Sequence, residues 1–117
     1  MSNHKNLDAW KLSINFVTEI YKITHSFPKE ELYGLTNQIR RCAVSIPSNI
    51  AEGSARQSDK ELVQFLYISL GSLSELETQL IIAQNLNYVL DLVEPLERLN
   101  NIKRTILGLV KYLKSKK

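Results

Sequence analysis

Cysteine is almost missing from this chain: Cys42 stands alone among 117 residues. One thiol excludes an internal disulfide framework and a cysteine-only zinc site within one chain. Glycine and proline are also scarce, at four and three residues, which favours long regular elements over a loop-rich fold. No apolar run approaches the ~18 residues of a membrane span. The opening segment MSNHKNLDAW lacks the apolar core of a signal peptide, so a cytoplasmic location without membrane contact is expected. Catalytic signatures are missing too. There is no HExxH, no phosphate-cradling glycine loop and no dinucleotide fingerprint. A di-iron bundle needs Glu-x-x-His pairs, and neither His4 nor His25 follows a glutamate at that spacing. The reading is a non-enzymatic chain with no cofactor and no metal.

What is present is ordinary globular material. Hydrophobic residues make up 44% and charged residues 23%, enough for one domain over residues 1–117 with a real core. The net charge of +3 is mild, but its distribution is uneven. After Glu97 every charged residue is basic: Arg98, Lys103, Arg104, Lys111, Lys114, Lys116 and Lys117. A tail of one sign attracts nucleic acid or an anionic surface, and it also complements a helix C-terminus.

Hydrophobic periodicity predicts four helices, over about 8–26, 35–52, 59–85 and 92–114. In the first, Trp10, Ile14, Val17 and Tyr21 form one row and Leu12, Phe16, Ile20, Ile23 and Phe27 a second, with Asp8 or Asn6 as the cap. Phe27-Pro28 ends it. In the second helix Leu35, Ile39, Cys42, Ile46 and Ile50 form the inward row, with Arg41, Ser45, Ser48 and Glu52 opposite. Pro47 is expected on the outward side with a bend, and Gly53 as a left-handed helix stop. Ser58 to Glu61 reads as a capping box opening the third helix, whose rows contain Leu66, Leu73 and Leu76, and beside them Val63, Tyr67, Leu70 and Ile81. Gly71 with Ser69, Ser72 and Ser74 forms a small-residue patch suited to close helix approach. The fourth helix starts between Asp91 and Pro95 and carries a single stripe from Leu92 to Leu113, with Arg104 and Lys111 on one outward face.

Short links make these helices antiparallel neighbours, so the predicted fold is an all-α, up-and-down four-helix bundle. Its first and third helices have apolar arcs of roughly 200°, more than one core needs. Self-association is the expected outlet for that surface, with Leu12, Phe16, Ile23, Val63, Tyr67, Leu70 and Glu52 as candidate subunit contacts. Glu52 opposes the dipole at its helix end. A charge contact with nearby Arg56, or with Arg41 of another subunit, would offset that. Cys42 lies on an apolar row and reads as a buried structural thiol. Arg40, Arg41, Arg56 and Lys60, together with Arg104 and Lys111 of the fourth helix, are the candidate nucleic-acid contacts. Without a base-reading module they would follow backbone or shape, weakly and with little sequence preference. A protein-partner adaptor without nucleic acid is the alternative. An enzyme site between subunits, using Glu52, Glu75 and Glu77, is disfavoured because no base or ligand set accompanies them.

The segments Phe27 to Glu31, Tyr33 to Thr36, Gln38, Arg40-Arg41, Ala43 to Gly53, Gly71 to Leu73 and Glu75 to Gln79 resemble a bacterial family of four-helix bundles. That family is named for proteins encoded in 23S rRNA intervening sequences. The resemblance covers most of the chain and implies a left-handed up-and-down bundle and a ring-like homopentamer. The accessory variability determinants of diversity-generating retroelements look like relatives, which implies a basic assembly engaging nucleic acid and a protein partner. Departures are Cys42 in place of the usual alanine, Leu32 in place of a charged residue, and Pro95 at the entry to the fourth helix.

Overall fold

A computed structural model describes residues 3–116 of the chain. Four helices carry the architecture: α1 (Asp8–Thr24), α2 (Leu35–Ser54), α3 (Asp59–Asn85) and α4 (Val93–Ser115), with short 3-10 turns at His4–Asn6 and Lys29–Glu31. No strand occurs among the described residues. No described helix is long and apolar enough to cross a membrane. The bundle measures 49 × 24 × 19 Å. Both α2 and α4 pack on α1 and α3, while the backbones of α2 and α4 stay apart, so they occupy diagonal corners.

The core is one column of apolar side chains, nearly all aliphatic. Phe16 and Ile20 of α1 meet Ile39, Ile46 and Ile50 of α2, Leu66, Leu73, Leu76 and Leu80 of α3, and Leu99, Ile102 and Ile106 of α4. Burying such side chains contributes about 1.5–3 kcal/mol each and drives the packing. The buried line of α1 runs through Ala9, Ser13, Phe16, Ile20 and Thr24; Phe16 and Ile20 come from the second expected row, while Trp10 and Val17 of the first row are only half-buried against the core. Ser13 and Thr24 are admitted to the core because their hydroxyls donate to the Ala9 and Ile20 carbonyls, at 2.6 and 2.8 Å. Ile14 and Tyr21 are left exposed.

Helix ends differ from expectation in several places. α1 stops at Thr24 rather than 26, and Leu7 occupies its cap position without a side-chain bond, leaving Asp8 in the first turn. α2 continues through Gly53 to Ser54, and no glycine has a positive φ. Gly53 is there for proximity. A Cβ on it would lie 2.7 Å from the Cβ of Phe65 and 2.9 Å from Leu62 Cδ1, so hydrogen alone permits this α2–α3 approach. Pro47 is buried rather than outward, one helical step of about 100° from Ile46. Ser58 caps α3 by accepting from the Glu61 amide at 3.2 Å, as expected, and its hydroxyl meets the Glu61 carboxylate at 3.1 Å. The left-handed stop falls after α3 instead, at Asn87 with φ 63°. There the Tyr88 amide donates back to the Ala83 carbonyl at 2.9 Å, the wrap that satisfies a helix C-terminus.

That wrap brings Tyr88 to the α1–α2 connection. Its ring lies 5.5 Å from Phe27, and its hydroxyl donates to Glu31 Oε2 at 2.9 Å. The other oxygen of Glu31 accepts from the Leu35 amide at 3.2 Å and so caps α2. Gly34 leaves room for this carboxylate, which a Cβ there would approach to 2.9 Å.

Candidate nucleic-acid interface

The antiparallel register decides which basic residues share a surface. Arg40 projects from α2 onto α1. Its Nε donates to Thr24 Oγ1 at 2.8 Å, its Nη2 reaches the Tyr21 carbonyl at 3.4 Å, and its guanidinium sits 4.5 Å from the Tyr21 ring centroid. Arg40 therefore ties α1 to α2 and is withdrawn from the candidate contacts. Arg56 is committed as well: it pairs with Glu52 at 2.8 Å and lies over the Phe65 ring at 5.0 Å. A charge contact at Glu52 is thus formed within one chain, with Arg56. Arg41 is exposed on the α3-facing side of α2, in a polar groove.

The remaining candidates lie elsewhere, on α3 and α4. Lys60, in the first turn of α3, lines a groove of about 410 Å³ together with Val63, Gln64, Tyr67, Leu113 and Lys114. Lys114 bridges the two helices, donating to the Tyr67 hydroxyl at 3.2 Å with its ammonium 5.3 Å from the ring centroid. Arg104 and Lys111 are exposed on the outer face of α4, and Lys103 is half-buried beside them. The acidic residues of α4, Glu94 and Glu97, sit in its first turns, and its cations follow them. This order suits the helix dipole, and it concentrates positive charge on the half of the bundle that also holds Lys60. Lys116 is held by Asp59 at 3.0 Å, and that hydrogen bond is the main reason its pKa is raised.

The cations of α3 and α4 therefore fall in two sets, Lys60 and Lys114 at the α3–α4 groove, which Asp59 also lines, and Lys103, Arg104 and Lys111 along α4, where Arg104 shares a groove with Glu94 and Glu97. Arg40 and Arg41 belong to the diagonal corner. Lys103 and Lys114 were visible in the sequence as part of the basic tail, but only the α3–α4 register shows Lys114 meeting Tyr67.

The candidate subunit contacts divide in the same way. Phe16 and Val63 are buried inside the single chain, so the bundle itself consumes them and they are corrected to core residues. Leu12, Ile23 and Leu70 are half-buried and pack against the core, while Tyr67 and Glu52 are exposed. Larger uncovered apolar groups gather where the two loops meet: Leu32, Tyr33, Leu86, Leu90 and Val93, with Tyr33 91% and Leu90 84% exposed.

Cys42 is buried, with its thiol 3.0 Å from the Ser72 carbonyl and 3.7 Å from Glu75 Oε1. Burial, and then the neighbouring Glu75 carboxylate, push its pKa up to about 12. No group of His, Cys, Asp and Glu residues among those described could hold a metal ion. The 23S rRNA-intervening sequence protein family matches the chain over residues 5–108. No curated protein matches it.

Proposed function

This chain belongs to the 23S rRNA-intervening sequence protein family, and from that premise we propose that it is a non-enzymatic, self-assembling scaffold that binds nucleic acid weakly through phosphates. The observation that carries the reading is the basic face of α3 and α4. Lys60 and Lys114 flank the ring of Tyr67 at the groove between these neighbouring helices, and Lys103, Arg104 and Lys111 follow along α4. Such a face neutralises phosphates and releases counterions without reading base order. Tyr67 adds a surface on which a base can stack.

Assembly is supported by the apolar groups left uncovered on a single chain, at the loop end and at Ile14 and Tyr21 of α1. A pentameric ring is the arrangement implied by the resemblance. Repetition around a ring multiplies a weak face into an avid one. A cytoplasmic location fits this role. A thiol with a pKa of about 12 is no nucleophile near neutral pH, in keeping with a structural Cys42.

Two measurements test the reading. Light scattering on the eluting protein should give a mass several times the 13.4 kDa of one chain. Labelled single-stranded RNA should bind at low salt and weaken steeply as salt rises. A stable monomer removes the assembly, and a flat response to RNA at low salt leaves the adaptor role in its place.

A further inference from the structure

The two ends of the bundle differ in shape and in charge. At one end Tyr88 locks the α1–α2 and α3–α4 connections together, its hydroxyl donating to Glu31 while its ring meets Phe27. Tyr33 and Leu90 of these connections stay outside that contact, 91% and 84% exposed, the two barest large hydrophobic side chains among the described residues. Gathered apolar exposure of this kind marks an interaction site. The same segments, residues 25–34 and 86–94, carry Glu30, Glu31, Asp91 and Glu94 against a single lysine, Lys29.

The other end is hollow. All four helices begin or finish there, around a cavity of about 410 Å³ with Leu7, Leu62, Leu109 and Leu113 in its walls. Three of these leucines, Leu7, Leu62 and Leu109, are only half-buried, so one chain does not fill the hollow. Arg56 and Lys116 line it too, with side chains about 43% and 44% exposed. Each holds one carboxylate of its own chain, Glu52 and Asp59, and each keeps further N–H donors. Lys111 and Lys114 add to the positive charge in the last turns of α4, where no acidic residue follows Glu97.

We infer that the Tyr33–Leu90 end of one copy docks in this hollow on a second copy. The inference rests on the self-assembly reading and names its contact. Protruding apolar side chains meet an unfilled apolar cavity of a size that holds a guest. Carboxylates at the first end meet cations at the second, which also steers the encounter. Joining like ends would instead set carboxylates against carboxylates or cations against cations, at a cost. Tyrosine suits the position, because its ring takes up apolar surface while its hydroxyl keeps a polar partner such as Gln57 in the cavity wall. The two ends lie at opposite extremes of a body 49 Å long, so one copy cannot satisfy both halves of the contact. Each docking leaves one end and one hollow free, and the contact repeats until a ring closes.

The test is sedimentation velocity on the full chain and two double variants. Tyr33→Asp with Leu90→Asp spoils the protruding end, and Arg56→Glu with Lys116→Glu spoils the hollow. All four positions are exposed, and surface ion pairs contribute little to stability, so both variants should melt near the wild type. Each alone should sediment as a monomer, near the 13.4 kDa of one chain. Their equimolar mixture should form 1:1 pairs and nothing larger, because one intact end and one intact hollow remain between them. A mixture that stays monomeric would overturn the inference. So would variants that assemble as the wild type does, which would put the contact elsewhere on a chain that still self-assembles. A wild type that is itself monomeric removes the self-assembly reading and this contact together.

Discussion

Gly53 lies so close to Phe65 that a Cβ added to the glycine would fall 2.7 Å from the Cβ of Phe65. The obstruction is not a flexible tip but the root of a side chain on α3, with Leu62 Cα 3.3 Å away on the same helix. Gly53→Ala should therefore lower unfolding stability by about 1–3 kcal/mol, the usual penalty for overpacking. Gly71 and Gly108 have nothing within 4 Å of the same construction. Alanine at either should raise stability by up to about 1 kcal/mol through helix propensity. Urea denaturation of the three variants checks both signs at once.

Arg40 and Arg104 should separate cleanly. Arg40→Ala removes a bond to Thr24, a contact with the Tyr21 carbonyl and the stacking on Tyr21. A loss of about 1–3 kcal/mol follows, with RNA affinity per folded molecule unchanged. Arg104→Ala should leave the melting temperature in place and weaken RNA binding. Paired melting and anisotropy measurements decide between the two roles.

The thiol of Cys42 is raised from its ordinary value of 9.0 to about 12 by burial and then by Glu75. A raised acid is protonated in the fold across a window where the unfolded chain begins to ionise. Its contribution is complete below pH 9 and fades as pH climbs toward 12. Iodoacetamide at pH 8 should leave Cys42 unmodified in the native protein and label it fully in denaturant, as mass spectrometry would read. Cys42→Ala should flatten the alkaline limb of the stability curve.

Tyr88 donates to Glu31, and that hydrogen bond, more than burial, raises its pKa above 10.0. The contact is therefore intact below pH 10 and is lost as the phenol ionises above it. Tyr88→Phe should destabilise the loop end at neutral pH, and the difference from wild type should shrink above about pH 10. Hydrogen exchange of the Leu35 and Tyr88 amides would localise the effect.

Helix number, order and approximate length were legible because apolar residues recur at helical spacing. The face of α1 was legible only in part: Phe16 and Ile20 stand in an expected row, but Ser13 and Thr24 are core residues that an apolar count passes over. Their hydroxyls are satisfied by their own helix, which no pattern of hydrophobicity records. Gly53 read as a helix stop because glycine favours that role, while its real neighbour, Phe65, belongs to the facing helix. The site was legible in composition and obscure in grouping. The basic run after Glu97 is plain in the chain, yet whether Arg40 is available depends on Tyr21 and Thr24 of another helix.

The account rests on the basic face of α3 and α4, and one titration addresses it directly. Labelled oligouridine would be titrated by fluorescence anisotropy across a salt series, with wild type beside a Lys103→Ala, Arg104→Ala, Lys111→Ala triple variant. Wild type should show affinity falling steeply with salt, and the triple variant should reduce the log–log slope by about 0.7 for each phosphate contact removed. An identical slope and affinity in both proteins, with both still folded, would contradict it.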